Sequence, residues 1–122
     1  MEKKEIFVKQ KDHGGRVIFF TKKEIKDWKI NFSSTKKNFE KNLIASKYDL
    51  DGCITFYNSN FKNLFFFTND GFCEDSVNLI KSEGSIKEII INNAFKDGLD
   101  MDFSKININN INVKNSGNDC VD

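Results

Sequence analysis

From Ile54 onward the apolar residues recur at every second position in short runs: Ile54/Phe56, Val77/Leu79, Leu99/Met101/Phe103, Ile106/Ile108 and Ile111/Val113. A period of two marks a strand that buries one face. The runs are three to five residues long and are separated by Asn, Gly, Asp and Ser, the residues that close turns. Further upstream, Trp28, Ile30 and Phe32 alternate in the same way.

The runs also repeat. Shifting the chain by 22 residues sets Ile86 on Ile108, Ile89 on Ile111, Asn93 on Asn115, Asp97 on Asp119 and Asp100 on Asp122. Ile91 meets Val113 and Leu99 meets Val121. One unit earlier, the same shift pairs Asp75 with Asp97, Val77 with Leu99, Leu79 with Met101 and Ser82 with Ser104. A slip of one residue then lays "ITFYNS" (54–59) beneath "VNLIKS" (77–82), so the repeat covers residues 54–122. Hairpins reverse the chain at every turn, whereas these short strands recur in one direction. A parallel solenoid satisfies both facts, with coils stacked at the inter-strand spacing of about 4.8 Å. The L-x-x-L-x-L-x-x-N pattern of leucine-rich repeats is missing. The expected fold is all-β, a single parallel β-helix domain over residues 1–122 with four to five coils. Residues 33–52, "SSTKKNFEKNLIASKYDLDG", break the pattern and are expected as an excursion from one coil, with a short helix around 37–46.

In this register Leu99, Met101 and Phe103 are expected to face inward and Asp100 and Asp102 outward, about 6.8 Å apart along the strand. Asp122 should stand beside Asp100, and Asp119 beside Asp97. Like charges on adjacent strands repel, so solvent, a lysine, a cation or a raised pKa must accommodate them. Asp75, Asp97 and Asp119 sit in turn contexts where a short acceptor bonds its own backbone. Asn93 and Asn115 read as a stacked amide ladder.

Three chemistries compete for Asp100, Asp102 and Asp122. They form a solvated outer face, a carboxylate pair for glycoside hydrolysis at a spacing of roughly 6.5–9.5 Å, or oxygen ligands for Ca²⁺ in a uronate lyase or epimerase. No cofactor other than calcium is indicated. His13 in "DHGG" reads as a turn, and Arg16 is equally remote from the acids. Trp28 is most simply core, while Trp28, Tyr57 and Tyr48 are the rings available for sugar stacking.

Composition narrows the partners. Net charge is +1, and Arg16 is the only arginine among dispersed lysines, which is not the footprint of a nucleic-acid binder. No apolar run is long enough for a transmembrane helix, and the charged start shows no signal-peptide pattern. Cys53, Cys73 and Cys120 are odd in number with no C-x-x-C spacing, so small buried thiols in a reduced compartment are expected.

The segments "GCITFYNSNF", "CEDSVNLIKSE" and "FKDGLDMDFSKININNINVKNSGNDCVD" resemble core coils of bacterial right-handed parallel β-helix repeat proteins of the pectate-lyase-like superfold. There, an F-Y-N/E-S strand, an E-D-A-L-N turn, a D-A/G-x-D-x-D-F-S strand and a G-N-D-x-x-D turn follow one another. "KEIFVKQKDHGGRVIFF" is similar to the coil that precedes them. The resemblance implies a right-handed solenoid and a bacterial setting associated with surface polysaccharide. It also implies a cell-envelope or secreted location, with cytoplasmic as the alternative. Family members are usually much longer, which makes this chain read as a piece of a β-helix truncated at both ends. Open ends imply end-to-end self-association. The function implied is a non-catalytic scaffold or carbohydrate-interacting segment; the alternative is a polysaccharide lyase, epimerase or hydrolase using the Asp-lined face.

Overall fold

The computed structural model describes residues 4–11, 15–20, 22–34 and 52–122. His13, Tyr48 and the helix expected at 37–46 lie outside the described residues. The described chain is all β: β1 (Lys4–Gln10), β2 (Val17–Phe19), β3 (Ile25–Lys26), β4 (Trp28–Ser34), β5 (Gly52–Tyr57), β6 (Asn60–Asn69), β7 (Asp75–Ile80), β8 (Glu83–Ala94), β9 (Asp97–Asp102) and β10 (Lys105–Ser116). The chain passes alternately between two parallel sheets, one ordered β1-β4-β6-β8-β10 with β3 on β6, the other β2-β5-β7-β9. Every pairing is between successive coils, so the molecule is a β-solenoid of about 4 turns with ~23 residues per turn. Of the expected excursion, Ser33 and Ser34 belong to β4 and Gly52 to β5, and residues 35–51 lie outside the described residues.

The register follows the repeat. Ile86 pairs with Ile108 and Ile89 with Ile111; Val77 pairs with Leu99 and Leu79 with Met101. The one-residue slip is real, since Ile54 stands on Val77 and Phe56 on Leu79. Two expectations about strand length change. The runs Ile106/Ile108 and Ile111/Val113 belong to one twelve-residue strand, β10, and its partner β8 is equally long. The apolar spacing widens from two to three at Ile86–Ile89, Leu64 follows Phe61 by three, and the β6–β8 register shifts there. Such an irregularity bends a strand and resets which residues face inward.

Inward positions make one continuous column. Ile54, Phe56, Leu64, Phe66, Val77, Leu79, Ile86, Ile89, Ile91 and Leu99 are each at most 1% exposed. Phe56 is the hub of an aromatic cluster, stacked on Phe19 with centroids 4.6 Å apart and edge-on to Phe61 and Phe66. Burying a large apolar side chain contributes roughly 1.5–3 kcal/mol, so this column dominates stability.

Polar ladders hold the corners. Asn58, Lys81 and Phe103 share a left-handed backbone (φ 48°, 47° and 51°), as do Asp70, Asn93 and Asn115 (φ 56°, 56° and 60°). After the first set come Ser59, Ser82 and Ser104: the Ser59 N–H donates to Ser82 Oγ at 3.2 Å and the Ser82 N–H to Ser104 Oγ at 3.0 Å. At the second corner Asn115 Nδ2 donates to Asn93 Oδ1 (3.0 Å) and Asn93 Nδ2 to Asp70 Oδ1 (2.9 Å). The amide ladder expected from the sequence is therefore present and begins one coil earlier, on a carboxylate. Gly84 (φ +148°) sits where a Cβ would lie 1.9 Å from the Phe61 carbonyl oxygen, so no other residue fits without moving the coil below.

Two expectations are overturned. Phe103 is not core: β9 ends at Asp102, and Phe103 occupies the left-handed corner with 88% of its surface exposed. The period-two pattern cannot continue across a corner residue with positive φ. Cys53 and Cys73 are not separate thiols; a disulfide joins them, with Cα atoms 5.5 Å apart, and only Cys120 is free and exposed.

Candidate functional site

β9 and the segment after β10 bring five carboxylates to one end of the second sheet. Leu99 and Val121 form a bridge. The Leu99 N–H donates to Cys120 O (3.0 Å), the Asp122 N–H to Leu99 O (2.8 Å) and the Met101 N–H to Asp122 O (3.2 Å). Asp122 is thereby set beside Asp100, as the 22-residue shift requires. Gly98 makes this approach possible, because a Cβ there would stand 2.6 Å from Cys120 O.

Asp97 has a structural task. Its Oδ1 accepts Asn118 Nδ2 at 2.9 Å and the Asp119 N–H at 3.0 Å, closing the turn of the next coil. Carboxylate oxygens of Asp97, Asp119 and Asp122 nonetheless lie within 4.8 Å of one another. Oxygen ligands in that arrangement suit a hard divalent cation. The set shares only Asp122 with the trio expected from sequence, because Asp97 and Asp119 are turn residues in the same column.

Asp100 carries the electrostatic anomaly. Burial, then the neighbouring charge of Asp102 and a hydrogen bond with it, then Asp122 and Asp97, push its carboxyl up to about 6. Asp100 and Asp102 side chains thus come within hydrogen-bonding reach, although their Cα atoms are two residues apart on an extended strand. Asn78 stands beneath Asp100 in register, 3% exposed, its Oδ1 without a hydrogen-bond partner among the described residues.

The corner next to these acids is aromatic. Phe20, 63% exposed, stacks on Tyr57 with centroids 5.6 Å apart, and Lys81 Nζ lies 6.0 Å from the Tyr57 ring centroid. Tyr57, Ile80 and Asp102 form one column across three coils. Phe103 continues the corner set by Lys81. Of the three rings singled out from sequence, Tyr57 lies on this corner and Tyr48 lies outside the described residues. Trp28 opens β4 on the other sheet and packs half-buried against the core. Phe20, Lys81 and Phe103 were missed; the signal for the last two was their common offset of 22, which placed Phe103 at a corner.

A shallow groove of about 340 Å³ lies at the start of β8 and β10, lined by Glu24, Lys62, Glu83 and Lys105 among others, and none of the five aspartates lines it. No helix among the described residues is long and apolar enough to cross a membrane. No protein-family model matches the chain, and no curated protein or solved structure is significantly similar to it.

Proposed function

We propose that the chain is a non-catalytic solenoid scaffold that binds carbohydrate along the corner running from Phe20 and Tyr57 past Lys81 to Asp102 and Phe103. The observation that carries this reading is Phe103: a large ring, 88% exposed, held in a left-handed conformation beside a row of carboxylates. Rings stack on the apolar faces of sugars, while carboxylates and lysine accept from and donate to hydroxyls. The corner repeats once per coil, so its groups are spaced for a polymer lying parallel to the solenoid axis. The resemblance of the strand and turn motifs to those of bacterial β-helix proteins supports a setting at a cell surface, on an envelope or secreted polysaccharide. Affinity electrophoresis in gels containing neutral and acidic polysaccharides tests it. At least one polymer should retard the wild type, and Phe103→Ala and Tyr57→Ala should each lose most of that retardation. A wild type unretarded by every polymer would sink the reading.

A second reading, a polysaccharide lyase, epimerase or hydrolase, is favoured by one observation. Asp100, raised to about 6 by burial and then by the charge of Asp102, has the protonation behaviour suited to a general acid or base near neutral pH. Reducing-end and unsaturated-product assays separate the two readings. An enzyme would show turnover that depends on pH near 6 and disappears in Asp100→Asn.

A further inference from the structure

We infer that the Cys53–Cys73 disulfide is a redox latch that holds the first coil, β1, on the rest of the solenoid. Cys53 lies in β5 with none of its surface exposed, and Cys73, 4% exposed, sits in the corner segment between β6 and β7. That corner receives the end of β1. Gln10, the last residue of β1, is 1% exposed, and its Oε1 accepts the Phe72 N–H at 2.9 Å. Its Nε2 donates to Phe72 O at 3.1 Å and to Gly15 O at 3.0 Å, and reaches Cys73 Sγ at 3.6 Å. One buried amide, 62 residues away in sequence, therefore depends on the placement of Phe72 and Cys73.

The rest of β1 is held by its ladder to β4 and by Val8 against the core. Within the described residues β1 is the edge strand of its sheet and pairs with β4 alone. The corner is anchored far better on its other side. Asp70 accepts Asn93 Nδ2 and its N–H donates to Asn92 O, Phe72 packs on Phe95 with centroids 4.7 Å apart, and Lys96 bridges Glu74 at 3.0 Å. Reduction by a dithiol breaks the S–S bond; the dithiol gives two electrons and two protons, leaving two protein thiols and its own cyclic disulfide. Two unbonded sulfurs need more room than a bonded pair. Both sit in the packed interior of the corner, Cys53 0% and Cys73 4% exposed, so the extra separation is taken up by the neighbouring backbone. The corner must shift, and the side that gives is the one held by Gln10. The latch is closed in oxidising compartments and opens where thiol reductants prevail. Because both sulfurs are buried, opening proceeds through local unfolding of the corner.

Amide hydrogen exchange read by mass spectrometry tests the latch on the full chain. Reduction with dithiothreitol should speed exchange in residues 4–10 at least tenfold and leave 84–94 and 105–116 within twofold. Gln10→Ala, with the disulfide intact, should reproduce the same local acceleration, as should Cys53→Ser/Cys73→Ser; if the double variant does not fold, the reduced wild type and Gln10→Ala decide. Thiol titration of the oxidised, denatured chain should find one thiol, that of Cys120. Three thiols, unchanged protection of β1 after confirmed reduction, or equal acceleration everywhere would each overturn the inference.

Discussion

β7 and β9 occupy the same sheet in successive coils and are paired in one register, yet they differ on their outward side. Inward, Val77 stands on Leu99 and Leu79 on Met101. Outward, Asn78 gives way to Asp100, Ile80 to Asp102 and, at the corner, Lys81 to Phe103. β7 meets the fold's requirements with neutral outward residues that are buried or half-buried. Asp100, Asp102 and Phe103 are therefore not demanded by the fold, which is the physical reason to assign them a surface role. Asp100 makes the same point electrostatically, because burial, and after it the neighbouring carboxylates, hold it up at about 6 and its ionised form is poorly accommodated.

The comparison can be broken from its inward side. Leu99→Asp buries an unpaired charge at a position that is fully buried, and should lower unfolding stability by about 3 kcal/mol or more. A denaturant midpoint within error of wild type would show that β9 presents its other face to the core. The ladders should yield smaller losses. Ser82→Ala removes a hydroxyl that donates to Ile80 O at 2.9 Å and accepts the Ser59 N–H, and should cost about 1 kcal/mol in the same measurement. Asn93→Ala breaks the middle rung between Asp70 and Asn115 and loses a side chain suited to positive φ; its cost should match or exceed that of Ser82→Ala.

The outward side should respond with the opposite sign. A carboxyl whose folded pKa lies above its unfolded value of 3.8 binds more protons in the folded state, so stability falls as pH rises from about 4 through about 6. Asp100→Asn removes that penalty. It should be as stable as wild type or more so at pH 7, and its advantage should vanish near pH 4, as read from urea midpoints at the two values. A variant less stable at pH 7 would mean that Asp100 is held by a favourable partner.

The inward column was legible in the sequence for a simple reason: stacking at one register puts like on like, so Ile86/Ile108 and Val77/Leu99 recur at a fixed interval. The upstream coils were not, because β4 pairs with β6 and β2 with β5 across longer intervals, which hide the shift. Phe103 was misplaced because alternation was carried through a corner, although Lys81 in the same column marked it. The disulfide was invisible because its cysteines do not stack on each other. One lies in a strand and the other in the corner of the next coil, 20 residues on. Asp100 and Asp122 were found together, whereas the close approach of Asp100 to Asp102 depends on side-chain direction that no spacing rule supplies.

The claim on which everything else rests is the parallel register of the coils. Glu88 and Asn110 are paired neighbours in β8 and β10, on the strands' outer face. Parallel partners at about 4.8 Å fall within the Cα separation a disulfide accepts. In a Cys120→Ser background, Glu88→Cys/Asn110→Cys should oxidise to an intrachain cross-link in nearly all molecules, while Glu88→Cys/Asn109→Cys, one residue out of register, should not. Cross-linking of both pairs alike, or of neither, would contradict the stacked solenoid.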